Sequence, residues 1–221
     1  MPFLVNLFGF LVFFFLPAYL VGSIPYGYII GRLKGVDIRK QGSGNIGATN
    51  VWRVLGKGWG MTTFVLDFLK VPLASKCISR LVVPPPPDLL GWALITIFLG
   101  AVIGHNFPIW LKFKGGKGIA TTAGGLLGLM PHAFLLVLAV WIVVFTVFRY
   151  VSLASLAAAL VLPPATWFFA RGDKVLLGFS CLLAVMAIWR HRSNIQRLLG
   201  GTEHKWSRRA KDDETETGGG A

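Results

Sequence analysis

Residues 119–148, IATTAGGLLGLMPHAFLLVLAVWIVVFTVF, form an uncharged apolar stretch that is interrupted at Pro131 and His132. A membrane-spanning helix needs about 20 apolar residues, so the stretch is too long for one span and too short for two full ones. Proline disfavours helix at the residue before it. We therefore predict a short segment over 119–130, roughly 18 Å long at 1.5 Å per residue, and a fuller one over 133–148.

Further apolar runs flank this pair on both sides. The chain of 221 residues is 54% hydrophobic and only 14% charged, with a mean hydropathy of +0.65, which excludes a soluble domain with a solvated surface. We predict an all-α integral membrane protein with about seven transmembrane segments, some of them short. Residues 1–206 would form a single membrane-embedded domain, and the polar composition of 207–221 is typical of a disordered tail. The other predicted segments are 3–30, 59–82, 90–111, 152–169 and 175–189.

The basic residues predict the orientation of these segments. The net charge is +13, but Lys and Arg lie in short loops between apolar runs without interleaved aromatic residues, which argues against a nucleic-acid partner. Such residues accumulate in cytoplasmic loops. Seven segments place the basic regions 32–57, 112–117 and 190–211 on one side, with the N-terminus outside and the C-terminus cytoplasmic.

The first basic loop, QGSGNIGATNVWR at 41–53, matches G-x-G-x-x-G at Gly42, Gly44 and Gly47. A dinucleotide fingerprint needs a preceding strand, and a membrane segment precedes this loop. The glycines can instead turn backbone N–H groups toward an anion, which predicts a phosphate site; an interfacial loop that caps a helix is the alternative. The polar side chains of the loop are Ser43, Asn45, Thr49, Asn50 and Arg53.

A second constellation joins GHNFP at 104–108 to FKGGKGIAT at 113–121. Its lysines and glycines precede a helix, and helix N-termini attract anions. It is not a Walker A loop, because the glycine spacing differs and no Ser or Thr follows the lysine. A cytoplasmic turn would explain Lys114 and Lys117 but not Gly115, Gly116 and Gly118.

The third region is RHRSNIQRLLGGTEHK at 190–205, where His191, Asn194 and Leu198 share one helical face. A basic anchor bound to anionic membrane lipids is the alternative interpretation. Cys77 and Cys181 lie in apolar stretches without metal or redox spacing, so we expect them to be packing residues. The sequence predicts no metal site and no cofactor.

Together the three regions resemble the bacterial acyl-phosphate:glycerol-3-phosphate acyltransferases. That family has an S-G-N-x-G-x-x-N loop followed by Arg, a G-H-x-F-P and F-K-G-G-K-G block, and an H-R-x-N-I-x-R-L-x-x-G-x-E region, and residues 43–53, 104–118 and 191–203 fit these in order. The resemblance implies acyl transfer from acyl phosphate to the 1-hydroxyl of sn-glycerol 3-phosphate, giving 1-acyl-sn-glycerol 3-phosphate (lysophosphatidic acid) and phosphate. It also implies a cytoplasmic active site at the bacterial inner membrane.

The resemblance implies roles for the residues that match its motifs. Glu203 would be structural. Asp67 and Lys70 lie where the chain departs from the family pattern, and their own spacing predicts a buried ion pair at i,i+3. The expected catalytic residues are Ser43, Arg53, Lys117, His191 and Asn194. The expected substrate-binding residues are Gly44, Asn45, Gly47, Thr49, Asn50, His105, Lys114, Gly115, Gly116 and Gly118.

Two alternatives stay open from the sequence. None of the four histidines has an Asp five positions later, as soluble-type acyltransferases do, so we hypothesise that a substrate phosphate takes the hydroxyl proton while Arg53 and Lys117 stabilise the developing charge. His191 as general base is the rival. A carrier or channel for a phosphorylated metabolite or anionic lipid is the alternative function, although its site would lie near the membrane midplane.

Overall fold

A computed structural model describes residues 8–206, and within this range the secondary structure is helical without a strand. This confirms the all-α prediction; the proposed tail 207–221 lies outside the described residues. Four of these helices are long and apolar enough to cross a membrane, and a fifth is added if a pair bent by 58° counts as one span. These are Phe10–Leu33, Pro87–Leu111, Pro131–Phe148 and Val151–Phe169, with the bent pair Lys174–Arg190 and Arg192–Leu199.

The first span is interrupted. A π-helical turn over Phe10–Phe15 leads into α1 (Leu16–Ser23), and α2 (Tyr26–Leu33) follows after a break. Ile24 is extended, with ψ 112°, because the ring of the following Pro25 disfavours helix at the preceding residue. The helix ends three residues later than the predicted residue 30.

The segment predicted over 59–82 is two helices, so the prediction of one continuous span was wrong. After α3 (Ala48–Leu55) and Gly56, which has φ 88°, come α4 (Lys57–Phe68) and α5 (Lys70–Leu81). Pro72 has no N–H to donate to the carbonyl of Phe68, and its ring clashes with a helical carbonyl at that position. The chain therefore breaks at Leu69.

The remaining helices follow the predicted order. The break at Pro131 is present, and α8 begins at this proline. The bounds are α6 (Leu90–Asn106), α7 (Ile119–Leu129), α8 (Pro131–Phe148), α9 (Val151–Phe169), α10 (Lys174–Arg190) and α11 (Arg192–Leu199).

Small residues let the helices approach closely. A Cβ on Gly104 of α6 would lie 2.2 Å from the Tyr19 carbonyl oxygen of α1, and one on Gly22 would lie 2.2 Å from that of Ala101. Close backbone approach of this kind drives helix association in bilayers. Cys77 and Cys181 are both exposed, so the packing role expected for them was wrong.

Candidate active site

One cavity of about 910 Å³ lies among α3, α4, α7, α8, α9 and α10. Its polar end is lined by residues from all three predicted loops, and its other end is lined by apolar side chains of α7 to α10. The expected site residues that line it are Ser43, Asn45, Gly47, Thr49, Asn50, Arg53, His105, Lys117, Gly118, His191, Asn194 and Glu203. Gly44, Lys114, Gly115 and Gly116 are not among the lining residues.

Asn50 holds the first loop in shape. Its buried side-chain amide donates to the carbonyls of Ile38, Gln41 and Asn45 at 3.1, 3.1 and 2.9 Å, and its Oδ1 accepts the Ser43 N–H at 2.8 Å. These contacts occupy both ends of the amide. Asn50 therefore positions Ser43, which differs from the substrate-binding role expected for it.

The same loop directs the start of α3 into the cavity. Asn45 Oδ1 accepts the N–H of Gly47, the N-cap of α3, at 2.8 Å, and Thr49 in the first turn lines the cavity. The N-terminus of a helix carries a partial positive charge. Arg53, one turn further along, also lines the cavity, and within residues 8–206 its guanidinium has no ion-pair partner.

Arg190 holds the second loop in place, a role that no sequence pattern predicts. Its Nε donates to the Gly116 carbonyl at 2.9 Å, and its second nitrogen donates to the carbonyls of Gly115 and Gly116 at 2.8 and 2.6 Å. On the other side, the Gly116 N–H donates to the His105 carbonyl at 3.0 Å. Gly115 and Gly116 thus hold the backbone, while Lys114 is exposed.

The glycine at 116 is required by its neighbour. A Cβ on Gly116 would lie 2.0 Å from His105 Nε2, and one on Gly115 would lie 2.3 Å from the His105 carbonyl oxygen. No side chain larger than hydrogen fits there. The loop geometry therefore depends on glycine and carries Lys117 into the cavity.

Lys117 begins a hydrogen-bonded chain that joins the second and third regions. Its Nζ donates to Asn194 Oδ1 at 2.6 Å, and Asn194 Nδ2 donates to Glu203 Oε1 at 2.7 Å. Ser152 and Arg197 also donate to the Glu203 carboxylate, each at 2.8 Å. Glu203 thus fixes the position of the Asn194 side chain.

Burial and neighbouring charges alter the protonation of this network. Burial, with the charges of Arg197, Arg190 and Arg53, lowers the pKa of Lys117 to about 8, although Glu203 opposes the shift. For Glu203 burial would raise the pKa, but the hydrogen bonds from Asn194, Ser152 and Arg197 outweigh it and lower the pKa. The site therefore holds a carboxylate and a lysine that can lose its proton near neutrality.

His191 follows the last residue of α10 and is 2% exposed. Burial, followed by the charge of Lys117, lowers the pKa of its imidazole to about 4. In the neutral ring Nδ1–H donates to the Ala187 carbonyl at 2.8 Å, so Nε2 is the nitrogen left for the cavity. His191 is a neutral hydrogen-bonding group at physiological pH.

A buried charged cluster lies beside the second loop. The predicted ion pair is present, with Lys70 Nζ 2.9 Å from Asp67 Oδ1 and both side chains at most 3% exposed. His105 Nδ1 lies 3.1 Å from Lys70 Nζ and 3.4 Å from Asp67 Oδ1, a third member that the sequence did not indicate. Since Asp67 and His105 line the cavity, the cluster supports the wall against which Gly116 packs.

The segment after α11 contributes to the cavity lining. Three of its residues line the cavity: Glu203, His204 and Trp206. The centroid of the Trp206 ring lies 5.0 Å from that of Trp52 and 5.9 Å from that of Phe145. The backbone N–H of Trp206 donates to the Arg149 carbonyl at 2.8 Å.

Among residues 8–206 no group of three or more metal-ligating side chains occurs.

Comparison with known proteins decides which family has this site. Residues 12–201 match the family described as glycerol-3-phosphate acyltransferase. The chain belongs to this family. A glycerol-3-phosphate acyltransferase of Desulforamulus reducens is 46% identical over 190 residues, which cover 85% of this chain and 91% of that protein. The family member of Aquifex aeolicus is 43% identical over 198 residues, covering 89% and 98%.

Solved structures of the family share the fold. The glycerol 3-phosphate form of PlsY, an integral membrane glycerol 3-phosphate acyltransferase, matches with a TM-score of 0.77 and 41% identity, over 86% of this chain and 92% of that one. The lysophosphatidic acid form matches with a TM-score of 0.76 and 40% identity, over 89% and 95%. The family assignment confirms a multi-pass membrane acyltransferase.

Proposed function

We propose that this glycerol-3-phosphate acyltransferase takes its acyl group from an acyl phosphate and transfers it to the 1-hydroxyl of sn-glycerol 3-phosphate. The observation that carries the proposal is that one and the same cavity joins a polar end containing Arg53 and Lys117 to an apolar end between helices. Both substrates bear phosphate, and one also bears an acyl chain. The cavity offers complementary surfaces for all three groups.

The cations would bind the two phosphates. Arg53 has no ion-pair partner within residues 8–206, so its guanidinium is available for a bidentate contact with phosphate. Lys117 and the N-terminus of α3 add positive charge at the same end. Ser43, which Asn50 holds in place, would orient the glycerol moiety.

In the reaction the hydroxyl oxygen attacks the acyl carbon, an ester C–O bond forms and the bond from that carbon to the phosphate oxygen breaks. The hydroxyl proton goes to a substrate phosphate, and the products are 1-acyl-sn-glycerol 3-phosphate and inorganic phosphate. Arg53 and Lys117 would stabilise charge on the departing phosphate. His191, with its pKa of about 4, is a weak base near neutral pH and would act as a hydrogen-bonding group together with Asn194.

We also propose where the active site lies in the cell. The site would face the cytoplasm at the inner membrane, with the N-terminus outside and the C-terminus cytoplasmic, because the basic loops follow the distribution typical of cytoplasmic sides. Residues 1–206 would act as one catalytic domain. The amphipathic product would leave sideways into the adjacent leaflet and join the membrane lipids.

The donor is tested with purified protein in detergent and radiolabelled glycerol 3-phosphate. We expect labelled lysophosphatidic acid with palmitoyl phosphate and none with palmitoyl coenzyme A under the same conditions. Product formation with the thioester alone would overturn the proposed donor and leave the acyltransferase assignment intact.

A further inference from the structure

The apolar end of the cavity is closed by one side chain from each of four helices. These side chains line the cavity and are also members of the buried core, with exposures of 2, 9, 3 and 3%. They are Leu126, Phe134, Leu162 and Leu183. Met130 and Phe179 belong to the same core cluster but are not among the lining residues, so the closing wall is backed by packed protein.

The distance from the polar end to this wall follows from the helices themselves. Ser152, which donates to Glu203, and Leu162 both lie on α9, ten residues and therefore about 15 Å apart. Along α10, His191 and Leu183 are eight residues and about 12 Å apart. The wall thus lies near the middle of a hydrocarbon layer of about 30 Å.

On the α9 and α10 sides, small side chains line the path between these two ends. On α9 the cavity-facing residues before Leu162 are Ser155, Ala158 and Ala159, and on α10 Ala184 follows Leu183. At about the same depth on both helices, the lining side chain changes from alanine to leucine, and the larger side chains end the cavity there. An extended hydrocarbon chain advances about 1.25 Å per carbon, given bonds of about 1.52 Å at angles near 111°. The two distances therefore correspond to about 10 to 12 carbons before the wall is reached.

We propose that this wall is a gauge of acyl-chain length, a role that rests on the proposed acyl-phosphate donor. A chain that ends at or before Leu162 lies extended in the cavity, whereas a longer one must bend or leave between helices. Bending costs packing contacts and lowers kcat/KM. Hydrophobic pockets discriminate a single methylene by roughly tenfold or more, so a change of one wall side chain should be measurable.

Two substitutions on α9 move the wall in opposite directions. Leu162→Ala deepens the cavity, and Ala159→Leu fills it one turn closer to the polar end. We expect the ratio of kcat/KM for palmitoyl phosphate to that for lauroyl phosphate to rise roughly tenfold in the first variant, and the ratio for lauroyl phosphate to that for octanoyl phosphate to fall roughly tenfold in the second. Matched controls are Leu160→Ala and Ala139→Leu, since both residues are exposed on the outer surface of the bundle. Both chain-length ratios of these controls should equal those of the wild type.

Unchanged ratios in both α9 variants would overturn the gauge, as would equal shifts in the controls. If Leu162→Ala does not fold, Ala159→Leu decides alone, because it removes no core side chain. If the wild type uses none of the acyl phosphates, the proposed donor fails. The same two ratios are then measured with the corresponding acyl coenzyme A thioesters, so the gauge is judged separately.

Discussion

Lys117 Nζ lies 2.6 Å from Asn194 Oδ1, although the two residues are 77 positions apart in the chain. The contact joins the glycine-rich loop before α7 to α11. Glu203 in turn holds the Asn194 side chain, because its Oε1 accepts a hydrogen bond from Asn194 Nδ2 at 2.7 Å. Lys117 therefore has a defined position and a lowered pKa of about 8.

The pKa of Lys117 predicts a loss of activity at alkaline pH. Its ammonium form binds phosphate, so kcat/KM should fall as the pH rises through about 8, where the free enzyme loses this charge. Lys117→Arg keeps the charge and should remove this decline, although its absolute rate will be lower because the side chain is larger. A fall in kcat/KM at the same pH in Lys117→Arg would contradict the assignment of this pKa to Lys117. Lys114→Ala is the matched control, since Lys114 is exposed, and its profile should follow the wild type.

Arg190 should act by positioning the loop that carries Lys117. Arg190→Gln removes the charged donors to Gly115 and Gly116, and we expect kcat/KM to fall by about 10- to 100-fold, since charge-assisted bidentate contacts are geometrically specific. Arg190→Lys should recover little of the lost kcat/KM, because a lysine ammonium cannot reproduce the paired donors of the planar guanidinium. Arg192→Gln is the control, as Arg192 is exposed; equal losses in both variants would rule out the specific role.

His191→Gln tests the proton pathway. If a substrate phosphate takes the proton, the variant should keep turnover within about tenfold of the wild type, because general bases typically contribute about 10²–10⁴-fold. Rates measured against pH in wild type and variant check this. A loss beyond about 10²-fold, with thermal stability unchanged, would make His191 the base instead.

The buried pair of Asp67 and Lys70 should contribute to stability through its balance of charge. Asp67→Asn leaves the Lys70 ammonium, 1% exposed, without its counter-ion, and we expect a loss of about 3–5 kcal/mol in the free energy of unfolding. The double variant Asp67→Leu with Lys70→Met removes both charges and should be less destabilised than Asp67→Asn. Unfolding in detergent measures both, and the opposite order would contradict this account.

The sequence predicted the parts of the fold that depend on local chemistry. The break at Pro131 and the pairing of Asp67 with Lys70 at i,i+3 are confirmed, since both depend on neighbours in the chain. The break at Leu69 has a visible cause in Pro72, which lies in the first turn of the helix that follows. The apolar run continues through this position, and for that reason its pattern predicts one span rather than two helices.

Contacts between distant segments could not be predicted in the same way. The acceptors of Arg190 are backbone carbonyls about 74 positions earlier, and carbonyls leave no trace in the sequence. Asn50 has the residue type of a substrate ligand, yet its amide is used within its own loop. The packing role predicted for Cys77 and Cys181 was wrong because lipid is as apolar as a protein core. Apolar composition therefore does not reveal which face of a helix packs against protein.

The central claim is that acyl transfer occurs at the polar end of the cavity, with Arg53 holding phosphate. The most direct test measures lysophosphatidic acid formation and phosphate release together, from palmitoyl phosphate and glycerol 3-phosphate, in wild type and Arg53→Ala. We predict equal amounts of the two products from the wild type and a loss of about 10²–10³-fold in both for the variant, as for removal of a charge-stabilising donor, with its helix content unchanged. Wild-type rates in Arg53→Ala would contradict the account.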